Sequence, residues 1–175
     1  VTILPGDASV TLTITPIDDA AVEGDEGVLL TLTPDPTYTV GTPSNATINI
    51  IDDDAVSALS IDDITVTEGN AGTTSAVFTV TLSPASGQTV TVNYATSNSS
   101  ASAPTDFTAA SGTLTFNPGA LTQTITVLVN GDTTPESNET FSVNLSSPSN
   151  ATIADGAGVG TINNDDTPAI TIGNA

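Results

Sequence analysis

The chain of 175 residues carries 20 Asp plus Glu and no Lys, Arg or His, giving a formal charge of −20, and it contains no Cys, Met or Trp. Those zeros exclude phosphate-directed nucleic-acid binding, which needs Lys or Arg to displace counterions. They also exclude zinc or iron–sulfur chemistry, and Ser-His-Asp, Cys-His or lysine Schiff-base catalysis. Hard-cation oxygen chemistry, carboxylate acid–base chemistry or a purely structural role remain.

Apolar residues make up 37% of the chain, below the usual 45–50% that also counts Gly. Val, Ile and Leu nevertheless recur at regular spacing, unlike a disordered acidic tail. No apolar run approaches the roughly 18 residues of a membrane span, so no direct membrane insertion is expected. Without an initiator Met or signal peptide the chain reads as a piece of something longer. An all-acidic, Thr/Ser-rich, Cys-free chain fits a secreted bacterial surface protein, extracellular or on the cell surface. The same composition leaves trypsin no cleavage site.

The chain repeats itself. Val1–Leu32 aligns with Leu114–Leu145 at a constant offset of 113, which pairs Gly6 with Gly119, Asp19 with Asp132, Glu23 with Glu136, Glu26 with Glu139 and Leu32 with Leu145. Ser44-Asn45-Ala46-Thr47 resembles Ser149-Asn150-Ala151-Thr152, and Asp53-Asp54 meets Asp165-Asp166 at offset 112. Ala58-Leu59-Ser60-Ile61 resembles Ala169-Ile170-Thr171-Ile172. A period near 112 residues is the size of one sandwich domain. Residues 1–54 then form the C-terminal half of one unit, 55–166 a complete unit, and 167–175 the first strand of a following one. The chain is out of register with its own domains, so it belongs to a longer array or takes its missing pieces from neighbouring chains.

Within 55–166 the elements are strands. Phe78, Val80 and Leu82 alternate with Thr79, Thr81 and Ser83; Val90, Val92 and Tyr94 alternate with Thr91, Asn93 and Ala95. The same period of two continues through Leu114 and Phe116, through Ile125, Val127 and Val129, and through Phe141, Val143 and Leu145. Turn residues separate the runs: Ser83-Pro84-Ala85-Ser86-Gly87, Asn117-Pro118-Gly119 and Asn130-Gly131-Asp132. Thr at outward positions suits a pleated surface. No stretch has a helical period. Seven or so short strands predict an all-β, antiparallel β-sandwich with Tyr94 and the few Phe in its core.

The acids fall at defined places. Glu68 follows the first strand in Thr67-Glu68-Gly69-Asn70, Asp106 sits in Pro104-Thr105-Asp106-Phe107, Asp132, Glu136 and Glu139 share one loop, and Asp165-Asp166 close the unit. The first unit carries Asp18, Asp19, Glu23 and Glu26 in its loop and ends in Asp52-Asp53-Asp54. The spacing Asp-x3-Glu-x2-Glu gathers three carboxylates. A like-charge pair at about 4 Å costs on the order of 1 kcal/mol in water and more near a protein surface. With no Lys or Arg to relieve it, a cation must come from solvent. Calcium accepts 6–8 oxygen ligands, whereas magnesium dehydrates reluctantly and demands an octahedron. Acids are also ordinary turn residues. On that reading Asp62 and Asp63 are a solvated edge or turn, and the Asn-x-Ser/Thr sequons at Asn45, Asn98, Asn138, Asn144 and Asn150 arise by chance.

The ordered series from Ser60-Ile61-Asp62-Asp63 through Thr67-Glu68-Gly69-Asn70, Pro104-Thr105-Asp106-Phe107, Gly112-Thr113-Leu114-Thr115-Phe116-Asn117-Pro118-Gly119 and Asn138-Glu139-Thr140-Phe141 to Asn163-Asn164-Asp165-Asp166 resembles the Calx-beta domain. That family occurs in tandem in sodium–calcium exchangers and large bacterial surface proteins. The resemblance spans essentially the whole chain. It implies tandem immunoglobulin-like sandwiches that bind Ca2+ at one end. The implied ligands are Glu68, Asp106, Asp132, Glu136, Glu139, Asp165 and Asp166, and in the partial unit Asp18, Asp19, Glu23, Glu26, Asp52, Asp53 and Asp54. Gly131 stands where the first unit has Asp18, and Asn163-Asn164 stand where it has Asp52-Asp53. The partial unit has no counterparts of Glu68 and Asp106.

Three functions follow. The first is a calcium-stiffened structural module of an extracellular surface, adhesin or fibre protein. Its partners are neighbouring repeats, with head-to-tail self-association by strand exchange as a variant. The second is an adhesive ligand-binding module, which needs an exposed apolar or aromatic patch. The third is a calcium sensor attached to a membrane protein, which needs a membrane domain. An enzyme is not expected. Clustered acids can meet the roughly 5–9.5 Å spacing of a glycosidase, but sugar sites stack on aromatics, and only 3% of residues are aromatic.

Overall fold

The computed structural model describes residues 1–19, 21–168 and 172. The chain divides into two compact units, Val1–Asp54 and Ala55–Ala175. The strand read into 167–175 rests on Ala169, Ile170 and Thr171, which lie outside the described residues.

In the first unit, β1 (Glu26–Thr31) pairs antiparallel with β2 (Asn45–Ile50). Among the described residues this is the unit's whole sheet. Residues 1–25 contain no strand among those described. Most of their large apolar side chains are uncovered, Leu12 at 53% among them, and Leu32 beyond β1 is 64% exposed.

The second unit contains β3 (Ala58–Ile61), β4 (Ile64–Thr67), β5 (Gly72–Ser83), β6 (Val90–Asn98), β7 (Ser111–Phe116), β8 (Thr122–Gly131), β9 (Glu139–Ser149), β10 (Thr152–Asp155) and β11 (Ala157–Asn163). They form a four-stranded sheet in the order β10-β3-β5-β8 and a five-stranded sheet in the order β4-β11-β9-β6-β7. One core joins the two sheets. Leu59, Phe78, Val80, Leu82, Ile125, Val127 and Val129 contribute from the first, and Val90, Val92, Phe116, Phe141, Val143 and Leu145 from the second. These are the alternating residues of the sequence. Each fully buried Phe or Val contributes roughly 1.5–3 kcal/mol. Phe141 ties the layers together, edge-on to Phe78 at 5.8 Å and stacked on Phe107 at 4.6 Å. Tyr94 is only partly buried against this core.

The sandwich is antiparallel except for two pairings. β3 runs parallel to β10, and β4 runs parallel to β11. The first strand region breaks at Asp62-Asp63 and passes from one sheet to the other. Both acids bind backbone there: Asp62 Oδ1 accepts the Thr79 N–H (2.7 Å) and Asp63 Oδ1 accepts the Val159 N–H (2.7 Å).

The two units share a register. Glu26 opposite Ile50 repeats Glu139 opposite Ile162, and Thr31 opposite Asn45 repeats Asn144 opposite Ala157, with every rung between matching. This register makes Asn164 the counterpart of Asp52 and Asn163 that of Ile51. It corrects the sequence reading that set Asn163-Asn164 against Asp52-Asp53. Setting Asn163 against Asp52 used an offset of 111, one short of the 112 that already paired Asp53-Asp54 with Asp165-Asp166.

Candidate metal centre

The acids of the second unit come from four segments that meet at one end of the sandwich. Glu68 follows β4, where the Glu68 N–H extends the parallel ladder to the Asn163 carbonyl (3.2 Å). Gly69 then turns with φ +81°, a conformation Gly adopts without penalty. The turn is fixed from the closing segment. Asp165 Oδ1 accepts the Gly69 N–H (3.1 Å), and Asp166 Oδ1 accepts from Asn70 Nδ2 (2.6 Å). Gly131 at the end of β8 leaves room for this turn, since a Cβ there would fall 2.8 Å from the Glu68 carbonyl oxygen. That accounts for Gly131 standing where the first unit has Asp18.

Asp106 is placed by its neighbour. Phe107 is fully buried, stacked on Phe141, and bridges to Val129. Asp106 Oδ2 accepts the Ser102 N–H (2.7 Å), closing the turn, and Asn130 Nδ2 donates to the Pro104 and Thr105 carbonyls (2.8 and 2.7 Å). In the acidic loop, Asp132 Oδ1 accepts the Thr134 N–H (2.6 Å). Glu139 is not in that loop but is the first residue of β9.

Carboxylate oxygens converge in threes, within 4.8 Å of one another, at two places among the described residues. One holds Glu68, Asp165 and Asp166; the other holds Asp106, Glu136 and Glu139. Asp132 belongs to neither trio, but its charge bears on Glu68. Glu68 is 6% exposed. Its burial, followed by the charges of Asp132, Glu136, Asp166 and Asp165, pushes its carboxyl above the ordinary range. Glu139 is raised by burial, then by Asp106, whose carboxyl shares a hydrogen bond with it, and by Glu136. Asp166 Oδ2 is buried with no hydrogen-bond partner. Glu136 belongs to one trio and its charge bears on Glu68 of the other, so the end of the sandwich is one acidic field in two parts.

In the first unit, Asp18, Asp19, Glu23, Glu26, Asp52, Asp53 and Asp54 all line one recess of about 440 Å3. Asp52 is held below the usual carboxylate range by the N–H groups of Gly24, Asp54 and Glu23. Asp54 is pushed up by burial and by Asp52, Asp53, Asp18 and Asp19. Sequence reasoning overlooked Asp25, Asn138 and Asn164, which carry hydrogen bonds of this end. Their signal was present: Asp25 and Asn138 match at the offset of 113.

A two-sheet sandwich with carboxylates gathered at one end, whose paired strands β9–β11 and acidic tip recur in residues 1–54, defines an acid-tipped β repeat module. The Calx-beta domain family model matches residues 1–54 and 55–168, and the chain belongs to that family. The apo form of the Calx CBD1 domain is 26% identical, with a TM-score of 0.59 over 64% of this chain and 100% of that one. The calcium binding domain CBD12 of CALX1.1 is 27% identical, with a TM-score of 0.57, covering 62% of this chain and 46% of that one. Adhesion G-protein coupled receptor V1 of Danio rerio is 31% identical over 150 residues, 82% of this chain. The chain spans only 2% of that receptor's length.

Proposed function

We propose that the chain is a calcium-binding, non-catalytic repeat of a large extracellular surface protein. Its cations are held by Glu68, Asp165 and Asp166 and by Asp106, Glu136 and Glu139, with Asp132 adding charge. The observation that carries this reading is Asp166 Oδ2, a buried acceptor without a donor in a chain that has no Lys, Arg or His. A buried polar atom needs a partner, and a buried charge needs an opposite one. Calcium fits irregular sets of 6–8 oxygens, drawn here from carboxylates, backbone carbonyls and water. In residues 1–54, Asp18, Asp19, Glu23, Glu26, Asp53 and Asp54 take the corresponding role in the shared recess. The named calcium binding domain of CALX1.1 supports the choice of ion, and the adhesion receptor supports an extracellular setting.

Calcium titration of the full chain by calorimetry tests this. Binding at roughly 10⁻⁴–10⁻³ M, as in extracellular modules, is the expected result. Glu68→Gln and Asp166→Asn each remove part of it. Absence of heat at millimolar calcium contradicts it.

Residues 1–54 are the C-terminal half of a domain, and their matched register and uncovered Leu12 and Leu32 support completion by a half patterned like residues 55–113. A preceding repeat of the same polypeptide supplies it in an array; a neighbouring chain supplies it in a fibre. Sedimentation of the full chain separates the two, because a monodisperse monomer at high concentration removes the fibre. In sequence, Asp53-Asp54 stand just ahead of the strand that begins at Ala58. A cation held by the closing acids would therefore restrain the linker between repeats.

A further inference from the structure

One uncharged side chain joins the two acidic trios. Asn164 Oδ1 accepts the Asp166 N–H (3.0 Å), while its Nδ2 donates to the Glu136 carbonyl (2.8 Å) and the Asp166 carbonyl (3.2 Å). The Asn164 N–H donates to Asn138 Oδ1 (3.2 Å), and Asn138 Nδ2 donates to Asn163 Oδ1 (3.0 Å). Asp166 belongs to the Glu68 trio and Glu136 to the Asp106 trio. The amide of Asn164 thus holds the backbone of one acid from each.

Residues 1–54 build the same frame independently. Asp52, the counterpart of Asn164, donates its N–H to Asp25 Oδ1 (3.2 Å), and its Oδ1 accepts the Asp54 N–H (3.0 Å). Asp25 is the counterpart of Asn138. The frames differ in polarity at the acidic loop. Asp52 Oδ2 accepts the N–H groups of Glu23 and Gly24 (2.8 and 2.7 Å), where Asn164 donates to a carbonyl. A carboxylate has no donor, so the loop must turn N–H groups toward it. Gly24 has φ +83°, whereas its counterpart Ser137 is not among the left-handed residues. Gly with Asp, and Ser with Asn, are two matched solutions to one geometry.

We propose that Asn164 and Ser137 are paired positioning residues. They set the loop bearing Glu136 against the segment bearing Asp166, and position 164 acts through backbone contacts rather than as a cation ligand. The proposal rests on the calcium reading above. Adding a carboxylate at a ligand position strengthens a calcium site. At position 164 it opposes an acceptor to the Glu136 carbonyl.

The test follows the Gly69 and Asp166 amide signals of the 15N-labelled full chain through a calcium titration, which reports on the second unit alone. Asn164→Asp is expected to weaken binding roughly 10–100-fold, the range for partners that orient ligands. The double variant Ser137→Gly with Asn164→Asp is expected to regain most of that loss. Tighter or unchanged binding in Asn164→Asp, or a double variant as weak as the single one, overturns the proposal while the calcium reading stands. Wild-type signals that do not move at millimolar calcium overturn both. If Asn164→Asp alone does not fold, the double variant decides, since residues 1–54 already combine Gly with Asp.

Discussion

Gly160 lies opposite Phe141 in the β9–β11 ladder, where a Cβ on Gly160 would fall 2.5 Å from Cε1 of the ring. On the matching rung of the first unit, Ile48 lies opposite Val28. A large ring beside no side chain has become two branched side chains of middle size. The register is kept while volume moves between strands. Gly160→Ala should cost about 1–3 kcal/mol, because a close-packed core resists added atoms. Urea unfolding of the full chain, followed at the second unit's transition, measures it.

Gly131 makes a second steric prediction, this one reaching the site. A Cβ there meets the Glu68 carbonyl oxygen at 2.8 Å and the Gly69 carbonyl carbon at 2.9 Å. Gly131→Ala should displace the Glu68 turn, costing about 1–3 kcal/mol and lowering calcium affinity as well. Calorimetric titration beside the urea melt reads both effects, and a loss of stability with unchanged affinity would separate the turn from the site.

Phe107 couples core to site. It is fully buried on Phe141, and it follows Asp106 directly. Phe107→Ala should cost about 3–5 kcal/mol by leaving a cavity, and it should weaken the Asp106, Glu136 and Glu139 trio. Asp106→Asn should weaken that trio with little change in stability measured in chelator. The contrast between the two variants distinguishes packing from ligation.

The acidity of the site sets a pH dependence. Glu68 and Glu139 are both raised in the folded protein, chiefly by burial. A raised carboxyl binds its proton more tightly folded than unfolded, so its stabilisation is complete below the ordinary value of about 4.3 and is lost as pH rises through the raised value. In chelator the second unit should therefore lose stability on going from mildly acidic to neutral pH, and saturating calcium should remove that loss. Thermal melts across this range check it, and Glu68→Gln should flatten the chelator profile.

Much of this was legible in the sequence. Phe78, Val80, Ile125, Val127, Phe141 and Val143 face the core because a half-buried strand must alternate. The repeat put the acids of the loop and of the closing segment in view, but Glu68 and Asp106 have no counterpart in residues 1–54, and Asp25 was passed over. Other features depend on partners distant in sequence. The break at Asp62-Asp63 is fixed by N–H groups of Thr79 and Val159, which no local pattern announces. The division of the acids into two trios depends on where Glu68 and Asp106 arrive from remote turns. The lack of a strand in residues 1–25 has the same cause. Their counterpart β8 is held from Gly72 opposite Gly131 to Thr81 opposite Thr122 by β5, and the first unit has no such partner among the described residues.

The most direct test of the account is a calorimetric melt of the full chain in chelator, in millimolar calcium and in millimolar magnesium, with Glu68→Gln alongside. A site held at 100 times its dissociation constant gains about 2.7 kcal/mol, so calcium should raise the second unit's transition by several degrees. Magnesium should not, and Glu68→Gln should lose most of the gain. Equal melting in all three solutions would mean that Glu68, Asp165 and Asp166 are solvated end-of-strand acids and that the sandwich is a spacer held by its core alone.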